Sequence, residues 1–500
     1  MNQIKKCLTI VFLLTVFLSC DNRTIKNEGQ VLPKPNVLFI AIDDLRPELG
    51  CYGAEYIKSP NIDKLARTGF LFTHHYVNIP TCGASRNCLL TGKLPVSKAY
   101  LSNGITAQTL ALQPEGKEPE TFIHQLKRNG YYTVGIGKIS HYPDGYVYGY
   151  LEPKSNKLEL PYSWNEMLLD DKKWGSGHNA FFGYANGTNR NTLKKMVKPY
   201  ECADVPDTAY VDGLTANLAI KKLGELKKKG KPFFLGVGFF KPHLPFTSPK
   251  KYWDLYNEDE IPLAPFAAIP ENSSKASLHG SGEFNQYKLG EEKASLDANV
   301  SDEYARKIRH AYFACVSFTD AQIGKVLDEL ERLGLAENTI VVLLGDHGWH
   351  LGDQMVWGKH TIFERALQSP LIIRLPKDKT GKVITQIVST TDIYPTLMEL
   401  CGTPVQHKLD GESLTGLMKN PEDKTWRNTA YSYFRNGISV RVPGFRMMKY
   451  YRKESPEIEL YNHKTDPNET KNVAAENNEM VKKLLPVLEL GNTGLYDKTK

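Results

Sequence analysis

Cysteine is scarce in this chain and follows no pattern. Of eight in 500 residues, Cys51, Cys88, Cys202, Cys315 and Cys401 remain once Cys7, Cys20 and Cys82 are set apart. They share no repeated spacing and form no Cys/His cluster, which argues against a disulfide framework and against a zinc site. The apolar run Cys7–Leu18 is too short to span a bilayer. Internal repeats and low-complexity tracts are missing, which leaves out repeat and fibrous architectures. Excess charge is small as well. The formal +7 falls to +5 when Lys5 and Lys6 are removed with a leader. That mild basicity suits a polyanionic ligand, and no nucleic-acid partner is expected. The run Lys227–Lys229 with Lys231 reads as the solvated end of a helix, favoured by the macrodipole.

What is present is enough for a large globular protein. Five hundred residues, 41% of them hydrophobic, fit one large domain and a smaller one. Met1–Ser19, with Lys5 and Lys6 before its apolar run, reads as a signal peptide. Leu18-Ser19-Cys20 resembles a bacterial lipobox, which makes Cys20 a candidate lipidation site and residues 20–35 a tether. The expectation is an exported protein of a Gram-negative bacterium, periplasmic or anchored to the outer membrane. Its only membrane contact would be that anchor.

Four strand-like stretches end in chemistry. Asn36–Ile42 is a continuous apolar run, hence a central strand buried on both faces, and it ends on Asp43-Asp44. Adjacent carboxylates at such a strand end repel one another unless a cation is present. Tyr131–Ile136 leads to Lys138 and His141, Pro232–Phe240 to Lys241 and His243, and Thr339–Leu344 to Asp346 and His347. Ligand sites in open α/β sheets lie at those C-terminal ends. Helices are expected from Ser59-Pro60-Asn61 to Gly69 and over Thr121–Asn129, Asp207–Lys229 and Asp302–Gly334, with another from Thr391. Residues 142–206 read as loop-rich, and Pro262–Asn299 as a long surface excursion near the cleft. The fold class is α/β: a mostly parallel sheet flanked by helices over 36–403, then an α+β subdomain with a short antiparallel sheet over 404–500.

The stretch that organises the rest is Cys82-Gly83-Ala84-Ser85-Arg86-Asn87-Cys88-Leu89-Leu90-Thr91-Gly92-Lys93. A Cys, a small residue two on, an Arg four on and a Thr-Gly nine and ten on resemble the signature of the type I sulfatases. Ala84 stands where Pro is more frequent, and Lys93 where Arg is common. Asp43-Asp44-Leu45-Arg46-Pro47, Gly50-Cys51-Tyr52-Gly53 and Lys241-Pro242-His243-Leu244-Pro245-Phe246 further resemble the iduronate-2-sulfatase branch.

The resemblance implies an alkaline-phosphatase-like fold. It also implies that a maturating enzyme oxidises Cys82 to formylglycine, whose hydrate attacks sulfur with one hydroxyl and expels sulfate through the other. If a helix opens at Ser85, Arg86 lies one turn from Cys82 and can offset charge there. By the same resemblance Lys138, Lys241 and Lys359 bind sulfate or the formylglycine oxygen, His141 deprotonates the diol and His243 protonates the leaving oxygen, with His360 beside Lys359 on the substrate. Asp43, Asp44, Asp346 and His347, with an oxygen at residue 82, would hold a hard cation, expected to be Ca²⁺. The substrate implied is a sulfated, uronate-containing saccharide of the iduronate-2-sulfate or ulvan type. Two alternatives share these features: a phosphonate or phosphate ester hydrolase of the alkaline phosphatase superfamily, and a non-catalytic glycan-binding lipoprotein.

Overall fold

The computed structural model describes residues 34–453 and 455–496, so the leader, Cys20 and most of the tether lie outside the described residues. Strand β1 (Asn36–Ile42) is buried along its whole length. Leu38, Ile40 and Ile42 enter one apolar cluster, and Val37, Phe39 and Ala41 enter another on the opposite face. Successive strand side chains point to opposite faces, so a strand covered on both sides must be apolar throughout.

Seven strands join it: β2 (Phe70–Tyr76), β3 (Tyr132–Gly137), β4 (Glu166–Leu168), β5 (Phe233–Phe239), β6 (Thr339–Gly345), β7 (Leu371–Arg374) and β8 (Lys382–Ser389). Their spatial order is β8-β2-β7-β6-β1-β5-β3-β4. Only β7 runs against its neighbours; the other pairs are parallel. The helices include α1 (Pro60–Arg67), α2 (Cys82–Thr91), α3 (Phe122–Arg128), α4 (Gly177–Phe181), α5 (Val211–Lys229), α6 (Asp302–Arg332) and α7 (Ile393–Leu400). One sheet face is covered by α5 through Ala216, Ala219 and Leu223, and by α6 through Ile308, Tyr312 and Ile323. The other is covered by Phe122 and Leu126 of α3, Leu89 and Leu90 of α2, and Ile393 and Leu397 of α7.

A second, antiparallel sheet runs through β9 (Ala430–Phe434), β10 (Gly437–Val442), β11 (Phe445–Tyr451) and β12 (Pro456–Asn462), with α8 (Asn478–Leu490) against it. Ala84 and Cys88 of α2 share a core cluster with Tyr433, Val440, Met447 and Leu460 of this sheet. The signature helix is therefore wedged between the two sheets, and all ten of its residues are buried. Ion pairs reinforce the junction: Arg446 donates to Glu469 at 2.7 Å and to Glu364, and His463 lies 2.9 Å from Glu469.

Some boundaries differ from expectation. Helix α2 opens at Cys82, one turn before Ser85. The Asp207 helix is interrupted, with a 3-10 turn over Asp207–Ala209 before α5 starts at Val211. Residues 142–206 hold only short elements, and 262–299 is built from turns such as Lys275–Ser277 and Phe284–Gln286. The six described cysteines are free. Among the described residues no helix is long and apolar enough to cross a membrane.

Candidate active site

Strand register decides where four loops begin. Ile42 lies opposite both Gly345 and Phe239, and Gly137 opposite Gly238. Asp43-Asp44, Asp346-His347, Lys138 and Lys241 therefore leave the sheet along one edge. Gly137, at φ +71°, allows a close approach that no side chain would: a Cβ there would sit 2.3 Å from the Gly238 carbonyl oxygen. Above this edge stands the N-terminus of α2, with Cys82 as its first residue. The helix end favours negative charge at that point. Gly83 packs against the Asn103 backbone and donates its N–H to Asn103 Oδ1 at 2.8 Å, which seats the turn.

Three buried carboxylates converge under Cys82. The Asp44 N–H donates to Asp346 Oδ1 at 3.0 Å, and Asp44 itself takes a left-handed backbone conformation, φ 60°. Arg86 Nε donates to Asp346 Oδ2 at 2.9 Å, and Nη2 lies 3.5 Å from Asp43. Its Nη1 donates to the Lys138 and Ile139 carbonyls. Arg86 thus ties three loops together rather than standing free for substrate. Lys138 Nζ is 2.6 Å from Asp43 Oδ2. Lys359 Nζ donates to Asp44 Oδ1 at 2.9 Å and lies 3.3 Å from Cys82 Sγ.

The histidines divide by surroundings. His347 Nδ1 faces the Gly348 carbonyl at 3.0 Å, which leaves Nε2 turned to the cluster, 3.3 Å from Cys82 Sγ and 3.3 Å from Asp44 Oδ1. A ring so oriented can offer Nε2 to a cation. His141 is held well below its usual pKa by burial, then by Lys138 and His178, and its buried Nδ1 has no hydrogen-bond partner. A neutral imidazole can accept a proton. His243 Nδ1 faces the Leu244 carbonyl, and Nε2 faces Glu283 Oε1 at 3.1 Å. Burial and Lys359 push this imidazole down. Both nitrogens nevertheless face acceptors, so the His243–Glu283 pair must carry one proton beyond the neutral ring and the bare carboxylate. Burial pushes Glu283 up, but Lys359 and the hydrogen bond from His243 outweigh it and hold its carboxyl well below the usual range. That proton belongs on His243.

The cation implied by the motif can be tested against these atoms. Ligand atoms of Asp43, Cys82, Asp346 and His347 lie within 4.8 Å of one another, and so do those of Asp43, Asp44, Cys82 and His243. Asp43 Oδ1 is buried without a hydrogen-bond partner. Burial and the neighbouring Asp43 carboxylate raise Asp346, and burial raises Asp44 well above its usual value despite Lys359 and His347. Carboxylates crowded this way have unmet demand for positive charge, and three of them with one imidazole fit a hard, oxygen-preferring cation. The Cys82 thiol is pushed up to about 12 by burial and Asp43 against Lys138 and Lys359. It is protonated in these surroundings, as suits a residue whose chemistry begins after oxidation.

Of two expected substrate contacts, Lys241 is placed differently and His360 lines the cleft. The Lys241 ammonium donates to the carbonyls of His243 at 2.9 Å and Pro245 at 2.6 Å, so it shapes the His243 loop instead of facing the nucleophile. His360 stacks on Phe434 of β9, centroids 5.3 Å apart at 11°, on the wall made by the second sheet. Glu283 is not marked by the sequence. It lies in the irregular excursion before Phe284–Gln286, where no periodicity marks it. The only signal was the position of that excursion beside the cleft.

A mostly parallel, doubly covered sheet, with a cysteine on a helix N-terminus and carboxylates and lysines at one edge, is the alkaline-phosphatase-like fold. The chain belongs to the sulfatase family, the enzymes that hydrolyse sulfuric esters: the sulfatase profile matches residues 35–403. The profile of the N-sulphoglucosamine sulphohydrolase C-terminal region matches residues 345–490. A sulfatase of Formosa agariphila is 31% identical over 91% of this chain and 86% of its own length. Mouse iduronate 2-sulfatase is 32% identical over 74% of this chain and 69% of its own. A solved structure in complex with its substrate D-glucosamine-2-N,6-O-disulfate superposes with TM-score 0.70 at 23% identity, covering 93% of this chain and 99% of that one.

Proposed function

We propose that this sulfatase removes sulfate from a uronate-containing saccharide, with Ca²⁺ held by Asp43, Asp44, Asp346 and His347. The observation that carries the reading is the single cluster of Cys82, Lys138, Lys359, His347 and the three carboxylates, with the His243–Glu283 pair beside it. Likeness to a sulfatase that acts on iduronate supports the sugar class.

Oxidised to formylglycine and hydrated, residue 82 supplies the hydroxyl nucleophile, while the cation supplies charge for sulfate oxygens. The protein does the rest. Lys359, 3.3 Å from the residue 82 side chain, holds anionic oxygen there, and Lys138 holds Asp43 ionised. Arg86 fixes Asp346 and the Lys138 loop in place. Neutral His141 takes a proton from residue 82, and His243 gives one to the departing sugar oxygen. Apart from the half-buried His141, these side chains are buried, which limits bulk water and strengthens each interaction.

The leader read from the sequence supports action outside the cytoplasm, where sulfated polysaccharides are met. Hydrolysis of defined heparan, chondroitin and ulvan oligosaccharides, run in parallel with an aryl sulfate and a phosphonate monoester, tests the reading. Release of sulfate from a uronate 2-sulfate is expected. Turnover of the phosphonate with no sulfate released from any sugar would overturn it.

A further inference from the structure

A buried arginine near this site has no carboxylate partner among the described residues. Arg190 lies in the loop after α4, its main-chain N–H donating to the Phe182 carbonyl at 3.1 Å. It is 6% exposed. Its guanidinium carbon sits 3.4 Å from the centroid of the Phe182 ring and 5.6 Å from that of Tyr287. Nε has no hydrogen-bond partner, and among the described residues no acidic side chain pairs with it. The other deeply buried arginines among the described residues are all paired: Arg46 with Glu48 and Asp353, Arg86 with Asp43 and Asp346, Arg309 with Glu48, Arg441 with Glu364, and Arg446 with Glu364 and Glu469. Arginine does not lose its charge, so burying it unpaired is costly unless something else supplies the anion.

Its surroundings say where that anion comes from. The Phe182 ring that carries the guanidinium is 5.9 Å from the His243 ring, and its neighbour Phe181 is 4.4 Å from His243 with Lys138 4.3 Å above it. Tyr150, 46% exposed, packs 5.8 Å from Phe182. Burial raises the pKa of its phenol, while the positive charges of Lys138 and Arg190 act on it in the opposite sense. Tyr287, the other ring beside Arg190, caps the turn that begins next to Glu283. Arg190 is thus one aromatic ring away from the side chain that protonates the leaving sugar. Aromatic walls with a fork of donors between them are how a sugar bearing an oxyanion is held.

We propose that Arg190 receives a second anionic group of the substrate, a carboxylate or another sulfate ester on the saccharide whose scissile sulfate lies at residue 82. Arg190 is then a specificity determinant that favours multiply charged sugars over simple aryl sulfates. This rests on the sulfated-saccharide reading above. A guanidinium in bidentate contact with such a group is lost in Arg190→Gln and only partly kept in Arg190→Lys.

Two substrate pairs separate the sources of the anion: a uronate 2-sulfate disaccharide with its carboxyl-reduced counterpart, and glucosamine 6-sulfate with and without N-sulfate. Nitrophenyl sulfate is the reference. The expected result for Arg190→Gln is a KM raised roughly tenfold to a hundredfold on the doubly charged member of one pair. The singly charged member and nitrophenyl sulfate should change far less, kcat should hold, and Arg190→Lys should fall between. The pair affected names the anion. The same loss on every substrate together with a lower Tm means that Arg190 only ties its loop to Phe182 and Tyr287, and the proposal fails. No change on either pair also overturns it. If the wild-type enzyme turns over none of these sugars, the sulfated-saccharide reading fails first. Stabilisation of Cys82→Ala protein by the same sugars still tests Arg190: equal Tm shifts with and without Arg190→Gln would refute it.

Discussion

Glu283→Gln tests the acid assigned to the leaving group. The carboxylate faces His243 Nε2 at 3.1 Å and Lys359 at 3.5 Å, and its side chain is 20% exposed. A hydrogen bond between charged groups in such a place is worth about 1.5–3 kcal/mol, or about 1–2 pKa units on the imidazole. The sign follows from which form catalyses. Glu283 stabilises protonated His243 and so raises its pKa, and the general acid works below that pKa. Glutamine in its place lowers the pKa, so the alkaline limb of the kcat–pH profile should move down by about 1–2 pH units. Above that limb, turnover of a sugar sulfate should fall roughly tenfold to a hundredfold. An aryl leaving group is acidic and needs little protonation, so nitrophenyl sulfate should be nearly spared. His243→Ala should show the same substrate dependence with a larger loss, on the order of 10²–10⁴-fold. The measurement is kcat against pH for both substrates with both variants. An unmoved alkaline limb, or equal losses on the two substrates, would show that neither residue serves the leaving oxygen.

Other variants probe the remaining parts. Cys82→Ala should abolish turnover while leaving the melting curve unchanged, and the intact mass of the tryptic peptide containing residue 82 should report formylglycine in active wild-type enzyme. His141→Ala should slow sugar and aryl sulfates alike, on the order of 10²–10⁴-fold, because the proton it takes does not depend on the leaving group; a loss confined to the sugar would reverse the histidine roles. Asp43→Asn, Asp44→Asn and Asp346→Asn should each lose calcium and activity together when metal content is measured beside kcat, and stoichiometric zinc in active enzyme would sink the assignment. Arg446→Met should destabilise by about 3 kcal/mol, the low end for a broken buried pair, since Glu469 keeps His463 and Glu364 keeps Arg441; a Tm within a degree of wild type would show that the second sheet is held without Arg446.

Much of this protein is determined locally. The apolar run of β1 had to be a strand covered on both faces, because Leu38, Ile40 and Ile42 and their alternates Val37, Phe39 and Ala41 all need burial. The carboxylates, lysines and histidines that follow β1, β3, β5 and β6 had to meet, because parallel strands send their C-terminal ends to one edge. The signature around Cys82 carried its own family resemblance. The loops are different, because no period links a turn residue to a distant partner. Only the folded chain brings Glu283 out of an irregular excursion to His243, turns the Lys241 ammonium onto the carbonyls of its own loop, and leaves Arg190 on Phe182 without a carboxylate. It also sets the second sheet behind α2, so that Ala84 and Cys88 pack against Val440 and Leu460. Strand and helix patterns repeat over a few residues and are written in the chain. The contacts that tune the site join residues far apart in sequence, and packing alone decides them.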